Sequence, residues 1–167
     1  MRIIGALWGL LGVTALIGSA IYRLTPKAIE ALEMGLSLGQ WIALVGFALF
    51  MLVAEGYRGF QKKFAPRTAA RVKYLHDHPT PLRMLLAPFF CMGYFHAKRK
   101  TQLTAIILTL GIIMLVILVH FCPQPWRGII DFGVVLGLTW GIICFWIFTY
   151  QAMTNKDYPH SPETPDR

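Results

Sequence analysis

The sequence predicts an all-α, polytopic membrane protein of four transmembrane helices, with an interfacial or re-entrant helical segment between spans two and three. Three observations carry that reading. Of 167 residues, 56% are hydrophobic and only 14% charged, a balance rare in water-soluble domains. The apolar residues fall in blocks of about twenty, the length needed to cross roughly 30 Å of hydrocarbon at about 1.5 Å rise per residue. The blocks lack strand-like alternation, and a single segment in lipid can satisfy its own backbone only as a helix.

The first span runs from about Ile3 to Tyr22. Arg2, the apolar stretch and the small residues Gly18 and Ala20 also fit a secretory signal peptide. A run of about twenty residues is longer than a usual signal core, however, and Gly5-x-x-x-Gly9 suits a retained packing helix. The second span, from about Leu36 to Ala54, opens with the small-residue row Gly35, Gly39 and Ala43.

A basic segment follows over residues 56–100. Pro66 is placed to open a helix, and Pro79 and Pro81 to close it, which predicts a short helix over Arg67 to about His76. If the helix begins early enough to include Lys63, then Lys63, Arg67 and Arg71, four apart, share one side of it, and Phe60, Phe64 and Val72 stand on the adjacent side. That is the pattern of a helix lying at a membrane surface. Met84 to Phe95 forms an apolar run broken by Pro88 and ended by the basic string up to Lys100. It is too short to cross, so it lies at the interface, re-enters, or tucks against the bundle.

Span three covers about Leu103 to Phe121 and span four about Ile129 to Tyr150. The short turn between them predicts an antiparallel hairpin. Gly133, Gly137 and Gly141 recur at intervals of four along one face of span four, a repeated small-xxx-small motif. With Gly5, Gly9, Gly35 and Gly39 they are candidate packing positions, either within the bundle or between copies of a homo-oligomer. The membrane domain therefore covers residues 1–153. The polar tail 154–167, with Pro159, Pro162 and Pro165, is expected to be disordered.

Charge sets the expected orientation. Arg58, Lys62, Lys63, Arg67, Arg71, Lys73, Arg83, Lys98, Arg99 and Lys100 lie in the central segment, opposed only by Asp77. Cytoplasmic loops retain such an excess. Arg2 and the tail, with Lys156 and Arg167, then also fall inside, and Arg23, Lys27 and Arg127 outside. The predicted setting is a bacterial-type inner membrane, with both termini cytoplasmic. Trp8, Trp41, Trp126 and Trp146 lie toward span ends, as interfacial rings do. Trp140 is deeper and is expected to pack against a neighbour.

Near an anionic leaflet each cation contributes about 1 kcal/mol, so Arg58, Lys62, Lys63, Arg67, Arg71, Lys73, Lys98, Arg99 and Lys100 are candidate lipid-headgroup ligands. Positive charge also serves topology alone. Glu55 with Arg58, and Asp131 with Arg127, are spaced for ion pairs at span boundaries. Cys91, Cys122 and Cys144 form no Cys-x-x-Cys pair, which argues against a disulfide framework, a zinc ribbon or thiol exchange. His76-Asp77-His78 lacks a third anchor for a metal, and His120, at the outer end of span three, and His96, at the inner end of the bundle, fall at opposite faces. No metal or cofactor is expected.

Phosphate-cradling loops, nucleophile elbows and zinc-helix signatures are absent. No catalytic residue is assigned, and nucleic acid is set aside as a partner because the basic loop is tied between two spans. The expected function is a non-enzymatic accessory or scaffold that engages anionic lipid or a partner protein. The alternatives are an oligomeric small transporter or channel, and a membrane-embedded enzyme on a lipid or quinone using Glu55, Arg58 and His96.

Overall fold

The computed structural model describes residues 2–155 and 157–165, the side chain of Arg2 excepted. All regular structure among the described residues is helical: α1 (Arg2–Glu33), α2 (Leu38–Met51), a π-helical stretch (Leu52–Phe64), α3 (Ala65–Asp77), α4 (Pro81–Leu85), α5 (Ala87–Met92), α6 (Arg99–His120) and α7 (Trp126–Thr154). Among the described residues four continuous helical stretches are long and apolar enough to cross a membrane: Ile3–Glu33, Leu38–Asp77, Arg99–His120 and Trp126–Thr154.

The first helix is longer than the sequence predicts. A loop is expected from Arg23, yet α1 continues through Pro26 to Glu33. Ala28 and Ala31 bury against the start of α7, where Gly128 lies against the Ala31 side chain and the Lys27 carbonyl. Tertiary packing thus carries the helix past its proline. Gly35, at φ +74°, supplies the left-handed residue that turns the chain. Ser37 then starts α2 with a capping box: its hydroxyl accepts from the Gln40 amide at 3.4 Å, and the Gln40 side chain accepts from the Ser37 amide at 2.8 Å.

Helix α7 is the axis of the bundle, in contact with α1, α2, the π-helical stretch and α3. Its glycine face is filled in sequence order by Phe47, Glu55 and Phe60, opposite Gly133, Gly137 and Gly141. Phe64 and Phe145 continue the row, 6.4 Å between ring centres. The second helix therefore runs parallel to α7. Helix α1 runs antiparallel: Trp146 Nε1 donates to Thr14 Oγ1 at 3.1 Å, and Ala31 meets Gly128 at the opposite end. The start of α1, the end of α3, α4, α5 and the tail consequently gather at one end of the bundle, and Gly35 and the Cys122–Pro125 turn at the other.

Three expectations are corrected here. The predicted helix over 67–76 is no separate surface element, because the chain stays helical from Leu38 to Asp77. Its Val72 and Leu75 belong to a core with Leu10, Val13, Phe90, Cys91 and Phe145. Apolar side chains bracketed by α1, α5 and α7 have protein partners and need no lipid. Spans three and four are joined by the short turn but barely interlock, for α6 buries only Thr101 and Ala105. Its single interior glycine, Gly111, has nothing within 4 Å. Large aliphatic side chains on all sides offer no groove for a neighbouring helix.

The third correction concerns the tail. The described part of it packs on the protein. Tyr158 Oη donates to the Pro66 carbonyl at 3.2 Å, Lys73 Nζ donates to the Asn155 carbonyl, and the Lys98 amide donates to the Glu163 carbonyl at 2.8 Å. Prolines leave an extended strap with few internal hydrogen bonds, which is free to accept from donors on α3 and α6. Lys156 and Arg167, counted in the charge bias, lie outside the described residues.

Candidate functional site: a basic end organised around a buried arginine

Arg71 is 0% exposed. An unpaired charge at such a site costs several kcal/mol unless its donors are met, and here they are met by backbone carbonyls. Nε donates to Phe90 at 2.6 Å, Nη1 to Pro162 at 2.7 Å, and Nη2 to Phe95 at 2.9 Å and His96 at 3.0 Å. The guanidinium also lies over the Phe90 ring, 4.3 Å from its centre, a cation–π arrangement favoured when both partners are dehydrated. Only the planar fork of arginine spans so many acceptors at once. One side chain of α3 thereby ties down α5, the turn after it and the tail.

Three of the nine candidate headgroup ligands are therefore reassigned. Arg71 is structural and shielded from any headgroup. Arg67 is mostly buried, with Nη1 3.7 Å from the Glu163 carboxylate, and Lys73 is engaged with the tail. The remaining six, Arg58, Lys62, Lys63, Lys98, Arg99 and Lys100, are exposed, and Lys62 Nζ also stands 4.6 Å over the Tyr57 ring.

The Met84–Phe95 run is tucked against α1. Substituents on Gly5, Gly9 and Gly12 would meet Met84, Cys91 and Pro88 respectively. Gly5 and Gly9 are thus packing positions, though their partner is this segment. Gly93, at φ +93°, turns the chain back toward α6. Helix α5 buries Ala87, Pro88, Phe90 and Cys91, while its Phe89 and the α4 residues Leu82 and Leu85 are exposed. Trp8 Nε1 donates to the Leu85 carbonyl at 3.3 Å.

The other candidates divide. Gly35 and Gly39 have nothing within 4 Å, so neither is a packing position; the exposed face of α2 begins here. Glu55 does not pair with Arg58: its Oε2 is buried without a hydrogen-bond partner against Gly137, and Arg58 points outward. The widened π-helical turn carries the two residues apart. Asp131, 2% exposed, has Arg127 Nε 3.8 Å from Oδ2, an ion-pair contact without a hydrogen bond. Trp140 packs on Gly56 and donates to Gln61 Oε1 at 3.1 Å. His76 Nδ1 lies 3.0 Å from Asp77 Oδ1, and the His78 ring stacks on Tyr74. Among the described residues no group of three or more His, Cys, Asp or Glu stands close enough to hold a metal ion.

Burial pushes the Cys91 thiol and the Tyr158 phenol each up to about 12 and so keeps both neutral. Residues that sequence reasoning passed over complete the site: Thr101, at the start of α6, whose hydroxyl donates to the Glu163 carboxylate, and Tyr158, Pro162 and Glu163 of the tail. Their one signal in the sequence was a short proline-spaced tail with acidic residues in a chain whose central segment is strongly basic. Compared with family models, characterised proteins and solved structures, the chain matches none of them.

Proposed function

We propose that this chain is a multi-pass inner-membrane accessory protein, without catalytic chemistry of its own, whose basic end faces the cytoplasm and holds anionic lipid headgroups. The observation that supports this reading most is the grouping of exposed cations with exposed apolar side chains. Lys98, Arg99 and Lys100 follow the α4–α5 segment after the turn from Gly93 to Ala97, and Leu82, Leu85 and Phe89 of that segment are exposed. Arg58, Lys62 and Lys63 lie on the π-helical stretch that leads into α3. Apolar side chains at the acyl boundary and cations at the phosphate level are what a bilayer surface binds.

Mass spectrometry of lipid retained in mild detergent tests it. Replacing Arg58, Lys62, Lys63, Lys98, Arg99 and Lys100 with Gln is expected to reduce retained phosphatidylglycerol severalfold, with zwitterionic lipid unchanged, and salt is expected to mimic the effect on the unmodified protein. Equal retention by both proteins refutes the lipid role.

A further inference from the structure

We infer that the tail carboxylate of Glu163 occupies a phosphate-binding site of this chain, and that a phosphate group takes its place when the tail lifts. The site is built from side chains of two elements. Thr101, 4% exposed, directs its hydroxyl at the Glu163 carboxylate from the first turn of α6. Arg67 approaches the same carboxylate oxygen from α3 with Nη1 at 3.7 Å, its own Nε buried and without a hydrogen-bond partner. The first turn of a helix and a largely enclosed arginine both favour negative charge.

The occupant is held under strain. Glu163 is a non-glycine residue at φ +49°, in the left-handed region that a residue with a Cβ adopts only under constraint. Its neighbours impose it: Arg71 takes the Pro162 carbonyl, the Lys98 amide takes the Glu163 carbonyl, and the Glu163 amide donates to Ser161 Oγ at 3.1 Å. A monovalent carboxylate in a strained strap is a weaker occupant than a phosphomonoester, which brings up to two charges and three acceptor oxygens to the same donors. The strap therefore acts as a built-in competitor, and displacing its carboxylate removes the tail's side-chain hold on Thr101 and Arg67 and loosens the residues around Glu163.

The inference rests on the lipid reading only for the source of the anion. A site that binds inorganic phosphate stands even if the surface cations prove dispensable.

Titration of the full chain in neutral detergent with inorganic phosphate, and separately with phosphatidic acid against phosphatidylcholine, tests it. Glu163→Gln is expected to raise phosphate affinity about tenfold, because the intramolecular competitor has lost its charge. Adding Arg67→Gln or Thr101→Val to that variant is expected to abolish the gain. Preference for phosphatidic acid over inorganic phosphate assigns the site to a lipid headgroup, and equal affinity to a free anion. No gain in Glu163→Gln, or a gain that survives loss of Arg67 and Thr101, overturns the proposal. Hydrogen exchange of the unmodified protein gives a reading independent of any variant's folding: phosphate should speed exchange over residues 158–165 and leave α3 unchanged. Unaltered tail exchange at saturating phosphate also overturns it.

Discussion

Arg71 Nε donates to the Phe90 carbonyl across 2.6 Å while its guanidinium lies over the ring of the same residue. That pairing joins α3 to α5 inside a protein core and converts a surface-looking cation into a cross-brace. Replacing Arg71 with Leu strands several buried carbonyls, each costing about 1–3 kcal/mol to leave unmet. The expected outcome is loss of the folded state, or a thermal midpoint in detergent far below that of the unmodified protein. Arg71→Lys is expected to fall between the two, because an ammonium cannot reach all four carbonyls.

Steric room separates the glycines into two groups. A side chain on Gly137 would stand 3.1 Å from Glu55 Oε2, and one on Gly141 2.5 Å from the Phe60 ring. Gly137→Leu and Gly141→Leu should therefore destabilise the bundle by several kcal/mol. Gly39→Ala and Gly111→Ala should be neutral or slightly stabilising, since neither position has a neighbour within 4 Å and glycine weakens helix interiors. Thermal melts of the four variants check this, and equal effects at all four positions would contradict the packing described.

Cys91 offers a pH test. Burial raises its thiol pKa to about 12, so alkylation of the folded protein at Cys91 should stay negligible between pH 7 and 9, as only thiolate reacts. Holding this thiol neutral stabilises the fold fully below the ordinary thiol range near about 8.5. That contribution falls away as pH rises toward about 12. Peptide mapping after iodoacetamide treatment checks the first point, and readily labelled Cys91 would contradict its burial.

Orientation can be read with two reporters. Helices α1 and α7 are antiparallel and share one end with α3 and the tail, so fusions at residue 75 and at the C-terminus should report the same side. A thiol reagent confined to the opposite side should reach Cys122, which is half-buried at the far turn. Opposite reports from residue 75 and the C-terminus would require a different crossing pattern.

Composition and block length alone determined the all-helical class and the four long apolar stretches, because hydrocarbon thickness and backbone satisfaction leave a chain few choices. Spacing identified Gly133, Gly137 and Gly141 as one face, and Pro66 as an early helical residue of α3. Only the tertiary structure decided what each face meets. Charge in a sequence looks alike whether it is solvated or braced by carbonyls, so Arg71 read as a headgroup ligand until α5 and the tail closed over it. Glu55 and Arg58 stand at helical pairing distance on paper, and the π-helical turn separates them. The tail's polarity implied disorder, yet donors supplied by distant residues, Arg71, Pro66's neighbour Arg67, Lys98 and Thr101, gave its carbonyls and carboxylate their partners. Local pattern reports which groups need satisfaction; long-range contact determines who provides it.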